Sequence, residues 1–297
     1  MIKIALIGCG SWSYTIIKEV EKHKNFKLIS IVCRKNNFLY ENIKIYKNIE
    51  QMLAENSLDC IYVAADPNVN LQVTHLSKKY KIPLILEKPL ANSYLESLEI
   101  GMIAEKNNMI IYPNLTNYFS ESFVRFRKLT EENFDSIRQI IIYEGNIGPF
   151  RKKIHPIWDW GFHSISFLFL LFGNKEFLNP INKEIKLNNK LGKGIVAKFN
   201  FNIDKNIFVK VITGNLFKKK IRKIKIILEN NDYIENDMIL HNLYFNKLKI
   251  FSNNKTPISS LLDSFSHAVK DNNYETSKRL IEASGKTIKF LEKFYKC

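Results

Sequence analysis

A chain of 297 residues, of which 45% are hydrophobic and 12% aromatic, is long enough for two domains and excludes an intrinsically disordered protein. Lysine and arginine exceed aspartate and glutamate by 45 − 29 = 16, which raises the possibility of nucleic-acid binding. The densest basic cluster, residues 218–220, instead lies at the start of a predicted strand. Lysines on an edge strand commonly prevent edge-to-edge aggregation. We therefore expect no nucleic-acid partner, and the charge also suits an anionic small molecule.

The sequence predicts neither a signal peptide nor a membrane span. Residues 1–8 run directly into a strand pattern, and the apolar run over residues 165–172 is too short to cross a bilayer. We expect a cytoplasmic protein that does not contact membranes. The cysteines form no Cys-x-x-Cys pair and accompany no histidine cluster, so we expect reduced structural thiols and no metal site. These cysteines are Cys9, Cys33, Cys60 and Cys297.

A glycine-rich turn follows the first predicted strand, residues 3–7, and precedes a helical pattern that ends near Lys22. This order of strand, turn and helix is typical of a dinucleotide-binding βαβ unit. Gly8 permits the tight turn, and Gly10 lets the backbone approach a pyrophosphate at the helix N-terminus. Ser13 replaces the third glycine of the fingerprint. We predict cofactor contacts from Gly8, Gly10, Ser11 and Trp12.

The second predicted strand, Phe26 to Val32, ends without the acidic residue that would bind the adenosine ribose of NAD. Arg34 and Lys35 stand in its place. Two cations there suit the 2′-phosphate of NADP, so NADP is favoured over NAD as the cofactor. The alternative is that both residues belong to a solvated, lysine-rich loop.

Further alternation of helices and strands predicts a doubly wound parallel sheet. The predicted helices cover residues 49–55, 69–80 and 93–107, and the predicted strands cover 60–64, 83–86 and 109–112. Ligands lie beyond the carboxyl ends of such strands. We therefore predict cofactor contacts from the residues that follow two of these strands: Ala65, Pro67, Asn68, Glu87 and Lys88.

Beyond residue 117 the pattern changes to that of a second domain. Helical patterns cover 120–129 and the apolar stretch up to Gly173, a strand pattern covers 137–144, and period-two alternation over 195–251 predicts an antiparallel sheet of consecutive hairpins. Helices at 261–269 and 275–294 close the chain. We predict a Rossmann domain over residues 1–117 and an α+β domain over 118–297. The second domain is expected to have an open-faced, mostly antiparallel sheet whose free face joins subunits of a homo-oligomer.

The glycine turn, Glu87-Lys88-Pro89 and the stretch from Trp158 to His163 together resemble the glucose–fructose oxidoreductase, inositol dehydrogenase and rhizopine-catabolism (Gfo/Idh/MocA) family. The resemblance implies hydride exchange between a nicotinamide ring and a carbinol carbon, usually of a sugar or cyclitol. It implies that Lys88 lies between nicotinamide and substrate and that His163 transfers the hydroxyl proton. It also implies that Asp159 holds the substrate or orients His163. Lys88 and His163 are expected to converge on the nicotinamide.

The chemistry of these residues agrees with the roles that the resemblance implies. Imidazole accepts a proton near neutral pH, a carboxylate one helical turn away favours the imidazolium, and a lysine stabilises negative charge on oxygen. His163 alone would more often be a buried structural histidine. We expect substrate contacts from Lys88, Asn117, Tyr118, Arg151 and Trp160. Two segments depart from the family pattern. Asn70 and Leu71 stand where the family often has a histidine, and residues 114–118 also differ. These departures leave the substrate class open.

The leading hypothesis is an NAD(P)-dependent oxidoreductase acting on a sugar, a cyclitol or a nucleotide sugar, for example in surface-glycan synthesis. The second is a reductase of a C=C or C=N bond, because relatives resembling this architecture include biliverdin reductase. The third is a catalytically silent protein that senses or binds NADP. The combination of Lys88, Asp159 and His163 favours an enzyme.

Overall fold

The computed structural model describes residues 1–35, 40–150, 155–189, 192–204 and 206–295. Arg151, a predicted substrate residue, and Cys297 lie outside the described residues. The chain forms two compact units, Met1–Thr116 with Thr256–Ile288, and Asn117–Lys255 with Lys289–Cys297.

The elements alternate between helices and strands in the first unit and are mostly strands in the second. The strands in chain order are β1 (Ile2–Ile7), β2 (Phe26–Val32), β3 (Lys44–Tyr46), β4 (Cys60–Val63), β5 (Leu84–Leu86), β6 (Ile111–Pro113), β7 (Ile137–Ile147), β8 (Phe177–Asn189), β9 (Gly192–Ile203), β10 (Ile207–Gly214), β11 (Leu216–Leu228), β12 (Tyr233–Asp237), β13 (Asn242–Phe245) and β14 (Leu248–Ser252). The α-helices are α1 (Ser11–Lys22), α2 (Ile49–Glu55), α3 (Asn68–Tyr80), α4 (Tyr94–Asn107), α5 (Glu121–Glu132), α6 (Pro156–Asp159), α7 (Gly161–Phe172), α8 (Pro257–Asp271) and α9 (Glu275–Glu292). Short 3₁₀ turns cover Thr116–Phe119 and Phe134–Ser136.

The first unit is built on a six-stranded parallel sheet with strand order β3-β2-β1-β4-β5-β6. Its central strands are almost wholly apolar and buried, as β4 and β5 show, because helices cover both faces of such a sheet. The predicted doubly wound fold is confirmed. The short edge strand β3 had not been located from the sequence, since its three residues carry no periodic signal.

The closing helices belong largely to the first unit. Thr256 donates a hydrogen bond to Glu19 of α1 at 2.8 Å, and Ser277 of α9 bonds both the amide and the carbonyl of Ile111, at 2.9 and 2.8 Å. The segment 256–288 therefore differs from the expected assignment of residues 118–297 to one domain. Sequence pattern identified these helices but not the sheet that they cover.

The second unit contains an eight-stranded mixed sheet with strand order β14-β13-β12-β11-β7-β10-β9-β8. The hairpin runs β8-β9-β10 and β11-β12-β13-β14 agree with the predicted antiparallel pairing. The two runs are nevertheless joined through β7, which pairs antiparallel with β11 and parallel with β10. The prediction of consecutive hairpins throughout is wrong at this point, because period-two alternation shows which face is buried but not which strand is the neighbour.

The apolar helix predicted after Trp158 is interrupted. Helix α6 ends at Asp159 and α7 begins at Gly161, with Trp160 (φ −107°, ψ −52°) between them. A Cβ added at Gly161 would lie 2.5 Å from Cδ1 and 2.8 Å from Cγ1 of Ile157, so a larger residue would require the Ile157 side chain to move. Asp159 and His163 are therefore on consecutive helices and not on one continuous helix as expected.

Candidate cofactor and active-site residues

The turn after β1 combines one glycine that the fold requires with one that it does not. Gly8 has φ +122°, and an added Cβ would lie 2.2 Å from the carbonyl oxygen of Ala64. Gly10, by contrast, would place a Cβ in open space with nothing within 4 Å. Internal packing therefore explains Gly8 but not Gly10, and the open space above Gly10 is the place where a pyrophosphate approaches the backbone in this fold.

The start of α1 is suited to an anion. The helix has no side-chain hydrogen bond at its N-cap, Gly10, and no acidic residue in its first turn. Its first N–H groups and the positive end of its dipole are therefore not satisfied by the helix's own cap. Together with the space above Gly10, this arrangement fits the pyrophosphate of a dinucleotide.

A disulfide joins Cys9 of this turn to Cys33 at the end of β2, with their Cα atoms 5.5 Å apart. The expectation that these thiols are reduced is therefore wrong for this pair. The two cysteines are 24 residues apart in sequence, and the parallel pairing of β1 with β2 brings them together, as the 2.9 Å hydrogen bond from the Gly8 amide to the Val32 carbonyl shows. Cys60 is a buried free thiol, and burial raises its pKa.

Arg34 and Lys35 follow Cys33 directly, and both side chains are exposed. They lie beyond the carboxyl end of β2, where the adenosine ribose of a dinucleotide is bound in this fold.

Glu87, directly after β5, is held by three donors from α1, from β4 and from the segment after β6. Its Oε1 accepts hydrogen bonds from Trp12 Nε1 at 2.6 Å, Tyr62 Oη at 2.9 Å and Asn114 Nδ2 at 2.5 Å. Burial raises the pKa of Glu87, while these donors and the nearby Lys88 favour its ionised form. The indole of Trp12 therefore links the start of α1 to the end of β5, across the tip of β4.

The backbone around Lys88 is held by one buried amide, Asn70 on α3. Its Nδ2 lies within hydrogen-bonding distance of the carbonyl oxygens of Glu87, Pro89 and Leu90, at 3.2, 3.3 and 3.1 Å. Asn70 is fully buried, so these contacts replace water for three backbone acceptors. The sequence had marked Asn70 only as a departure from the family. The sequence did not predict that Asn70 holds the backbone around Lys88, because its contacts join residues 17 to 20 positions apart in sequence.

The segment after β4 is held by its own side chains. Asp66 Oδ1 accepts from the amide of Asn68 at 3.0 Å and from its Nδ2 at 2.6 Å, and Asn92 donates to Asn68 Oδ1 at 2.6 Å. The predicted cofactor residues Ala65, Pro67 and Asn68 thus lie at the carboxyl edge of the sheet, in an ordered turn.

In the second unit, the predicted substrate residues Asn117 and Tyr118 lie on the 3₁₀ turn and are both buried. Tyr118 Oη accepts a hydrogen bond from Arg127 at 2.7 Å. Asn117 Nδ2 and Trp160 Nε1 are buried donors without an acceptor among the described residues. They belong to a larger set of buried polar atoms without a hydrogen-bond partner among the described residues.

His163 lies in the first turn of α7 with 8% of its surface exposed. The next residue, Ser164, donates to Glu144 Oε2 at 2.9 Å, and Arg222 Nε lies 2.6 Å from Glu144 Oε1. Glu144 is fully buried. The hydrogen bond ties the start of α7 to β7, and the ion pair ties β7 to β11. The sequence did not predict these contacts, since the three residues come from three separate elements.

The sequence of the first unit matches a known family. Residues 2–115 match the GFO_IDH_MocA model, described as "Oxidoreductase family, NAD-binding Rossmann fold". This region belongs to the Gfo/Idh/MocA oxidoreductase family. The resemblance that was based on the glycine turn and Glu87-Lys88-Pro89 is thereby confirmed.

Several known proteins resemble this chain. An uncharacterized oxidoreductase of Schizosaccharomyces pombe is 23% identical over 195 residues, which are 58% of this chain and 52% of that protein. A dehydrogenase from Chromobacterium violaceum has a TM-score of 0.80 at 13% identity and covers 99% of this chain and 95% of its own. The UDP-N-acetylglucosamine 3-dehydrogenase from Acidithiobacillus ferrooxidans has a TM-score of 0.75 at 13% identity and covers 97% of both chains.

The likenesses to the two solved structures show the fold of both units. The chain spans about half the length of the first curated relative that it matches. Among the described residues, no group of three or more His, Cys, Asp or Glu side chains could hold a metal ion. No helix within the described ranges is long and apolar enough to cross a membrane.

Proposed function

We propose that the chain is an NAD(P)-dependent oxidoreductase that transfers a hydride between nicotinamide and the CH–OH or keto carbon of a sugar, cyclitol or nucleotide sugar. The proposal rests on the grouping of candidate residues at the carboxyl edge of the first sheet. There the open space above Gly10 and the uncapped α1 lie on the same edge as Lys88, which follows the braced strand β5. The family match of residues 2–115 supports the cofactor class.

Each proposed catalytic residue has a separate task. When bound, the dinucleotide supplies the hydride acceptor or donor. Lys88 stabilises negative charge on the substrate oxygen, and His163 exchanges the hydroxyl proton. Asp159 orients His163 or holds a substrate hydroxyl. Asn117, Tyr118, Arg151 and Trp160 bind the substrate, and the two buried unsatisfied donors of Asn117 and Trp160 favour a ligand rich in oxygen.

We favour NADP over NAD as the cofactor. Arg34 and Lys35 are exposed cations at the position where an NAD-binding domain usually carries an acidic residue. A nucleotide-linked sugar is the favoured substrate class, as supported by the net charge of +16 and by the activity named for the Acidithiobacillus neighbour. Such a substrate would place the enzyme in surface-glycan synthesis.

The second sheet supports a homo-oligomer. Its outer face carries exposed apolar side chains, including Ile185 at 71% and Phe208 at 41% exposure, while the alternate residues of β9 and β10 are buried. An apolar face of this kind marks an association surface more often than free solvent contact. Light scattering on the purified chain would test this, and a monomer at micromolar concentration would refute it.

The substitution Gly10→Val tests the cofactor site without disturbing the fold. Gly10 has φ −80° and ψ 178°, which any residue adopts, and its Cβ would meet no protein atom within 4 Å. We expect unchanged thermal unfolding but at least a tenfold loss of NADPH affinity, because the added side chain fills the space for the pyrophosphate. Fluorescence titration with NADPH and NADH measures this.

Failure of the wild-type chain to bind either dinucleotide would remove the oxidoreductase proposal. Equal binding by wild type and Gly10→Val would show that the dinucleotide lies elsewhere. Where binding is found, a screen of nucleotide sugars and polyols for reduction of NADP⁺ identifies the substrate class.

A further inference from the structure

The Cys9–Cys33 disulfide links two segments of the proposed cofactor site that belong to different strands. Cys9 lies between Gly8 and Gly10 in the turn after β1. Cys33 directly precedes Arg34 and Lys35, the pair proposed to select NADP. The bond therefore fixes the distance between the pyrophosphate-binding turn and the segment expected beside the adenosine ribose.

The two cysteine residues differ in exposure. Cys33 has 1% of its surface exposed, whereas Cys9 is partly exposed at the turn. A small thiol or disulfide reagent therefore reaches the pair through Cys9. Cys60, the remaining cysteine of the described residues, is fully buried on β4 and takes no part in the pair.

We propose that Cys9 and Cys33 form a reversible redox modification site that sets the affinity for the dinucleotide. This rests on the proposed function. The oxidant is a low-molecular-weight disulfide such as oxidised glutathione. The Cys9 thiolate attacks it, which forms a mixed disulfide and releases one thiol; the Cys33 thiolate then attacks Cys9 Sγ and releases the second. Two protons and two electrons leave the protein, and the reagent is reduced to two thiols.

The oxidised form is the one organised for binding. With the bond intact, the turn and residues 33–35 are held together before the ligand arrives, so binding does not have to order them. In the dithiol form, the Gly8 amide to Val32 carbonyl hydrogen bond remains between the strands, but the segment from Cys33 to Lys35 is no longer tied to the turn. We expect reduction to weaken NADPH binding on the order of 3- to 10-fold.

The test uses the full chain, divided between treatment with oxidised glutathione and with dithiothreitol, followed by removal of the reagent. Alkylation in denaturant and mass measurement then count the free thiols. Of the four cysteines, four should be alkylated after reduction and 4 − 2 = 2 after oxidation. Titration with NADPH and NADH, followed by fluorescence, gives the dissociation constant of each form.

Two variants complete the test. Cys9→Ser should bind NADPH with the affinity of the reduced wild type after either treatment, and Cys60→Ala should keep the full redox response. Four free thiols after oxidation, equal affinities in the two forms, or tighter binding by the reduced form would each overturn the inference. Binding by neither form would overturn both this inference and the proposed function, whereas redox-independent binding would overturn this inference alone.

Discussion

The two compact units present their candidate functional residues on different kinds of backbone. In the first unit these residues follow the ends of parallel strands, as Gly10 follows β1 and Glu87 and Lys88 follow β5. In the second unit they lie on a 3₁₀ turn and on the interrupted pair α6–α7. Strand-end residues are placed by the sheet itself, whereas His163 depends on how α7 is anchored to its own sheet by Ser164 and Glu144.

This difference predicts different consequences of mutation. Changes at Gly10 or Lys88 in the first unit should alter binding or turnover with a small change in stability, because Gly10 faces open space and Lys88 is only partly buried. Changes at the anchor of α7 should lower stability and turnover together, because a buried charge is left unpaired.

The largest effect is expected from Lys88→Ala and His163→Ala, one variant in each unit. Each should lower kcat on the order of 10²- to 10⁴-fold, because each removes a group that we propose to act on the reacting oxygen or its proton. NADPH affinity should change by no more than a few-fold. Steady-state kinetics with the identified substrate measures this, and wild-type rates in either variant would refute the assigned role.

The double variant Lys88→Ala, His163→Ala sharpens this prediction. If both residues serve the same chemical step, their effects are not additive, and the double variant loses far less than the product of the single losses. Fully multiplicative losses would show that the two residues contribute independently to the reaction.

The next largest effect is expected on stability, from Glu144→Ala in the second unit. Its carboxylate is fully buried and pairs with Arg222 at 2.6 Å, so its removal leaves a cation with 16% side-chain exposure unpaired. We expect a loss of about 3–5 kcal/mol in the free energy of unfolding. The matched control is Lys128→Ala, whose 3.9 Å pair with Glu132 is solvent-exposed and should contribute less than about 1 kcal/mol.

Urea denaturation monitored by circular dichroism compares the two variants. Equal stabilities of Glu144→Ala and Lys128→Ala would contradict the role of Glu144 as a buried anchor. A stable Glu144→Ala variant with reduced turnover would instead indicate that Glu144 affects the chemistry directly.

The same contrast explains how much could be predicted from the sequence. In the first unit each strand, turn and helix forms from neighbouring residues, so the sheet, the glycine turn and Lys88 at the end of its strand were predicted from local pattern. The Cys9–Cys33 bond and the Asn70 brace were not, because both depend on which strand ends lie side by side.

In the second unit, alternation predicted the buried face of the strands but not their neighbours. The central position of β7 and its parallel pairing with β10 join residues about 70 positions apart, such as Phe208 and Gln139. For the same reason, the sequence predicted that His163 is important without predicting its anchor. The break at Trp160 was also missed, since Asp159 and His163 have the spacing of one helical turn.

A smaller effect is expected from Asn70→Leu, which keeps most of the volume of Asn70 but removes its three contacts to the backbone around Lys88. We expect kcat to fall on the order of 10- to 100-fold, because misplacing a catalytic group by a fraction of an ångström to an ångström is costly. NADPH affinity should be nearly preserved. The matched control is Asn107→Leu. Asn107 is the last residue of α4, and its Nδ2 donates a hydrogen bond to the Ile103 carbonyl at 2.7 Å. Equal kinetics in the two variants would contradict the bracing role.

The smallest effect is expected from the paired substitution Arg34→Ala, Lys35→Ala. Loss of charge-assisted contacts to a 2′-phosphate should weaken NADPH binding about five- to tenfold and leave NADH binding unchanged, which narrows the preference between the two cofactors. Lys27→Ala is the matched control, because Lys27 is exposed at the opposite end of β2 and its loss also lowers the net charge. Parallel titrations with both dinucleotides separate a local contact from a general charge effect.

One result would show that Arg34 and Lys35 do not select the cofactor. It is that Lys27→Ala weakens NADPH binding as much, per positive charge removed, as the paired substitution does, because the net positive charge then attracts NADPH at long range. If NADH binding falls together with NADPH binding, the two side chains contact a part that both dinucleotides share.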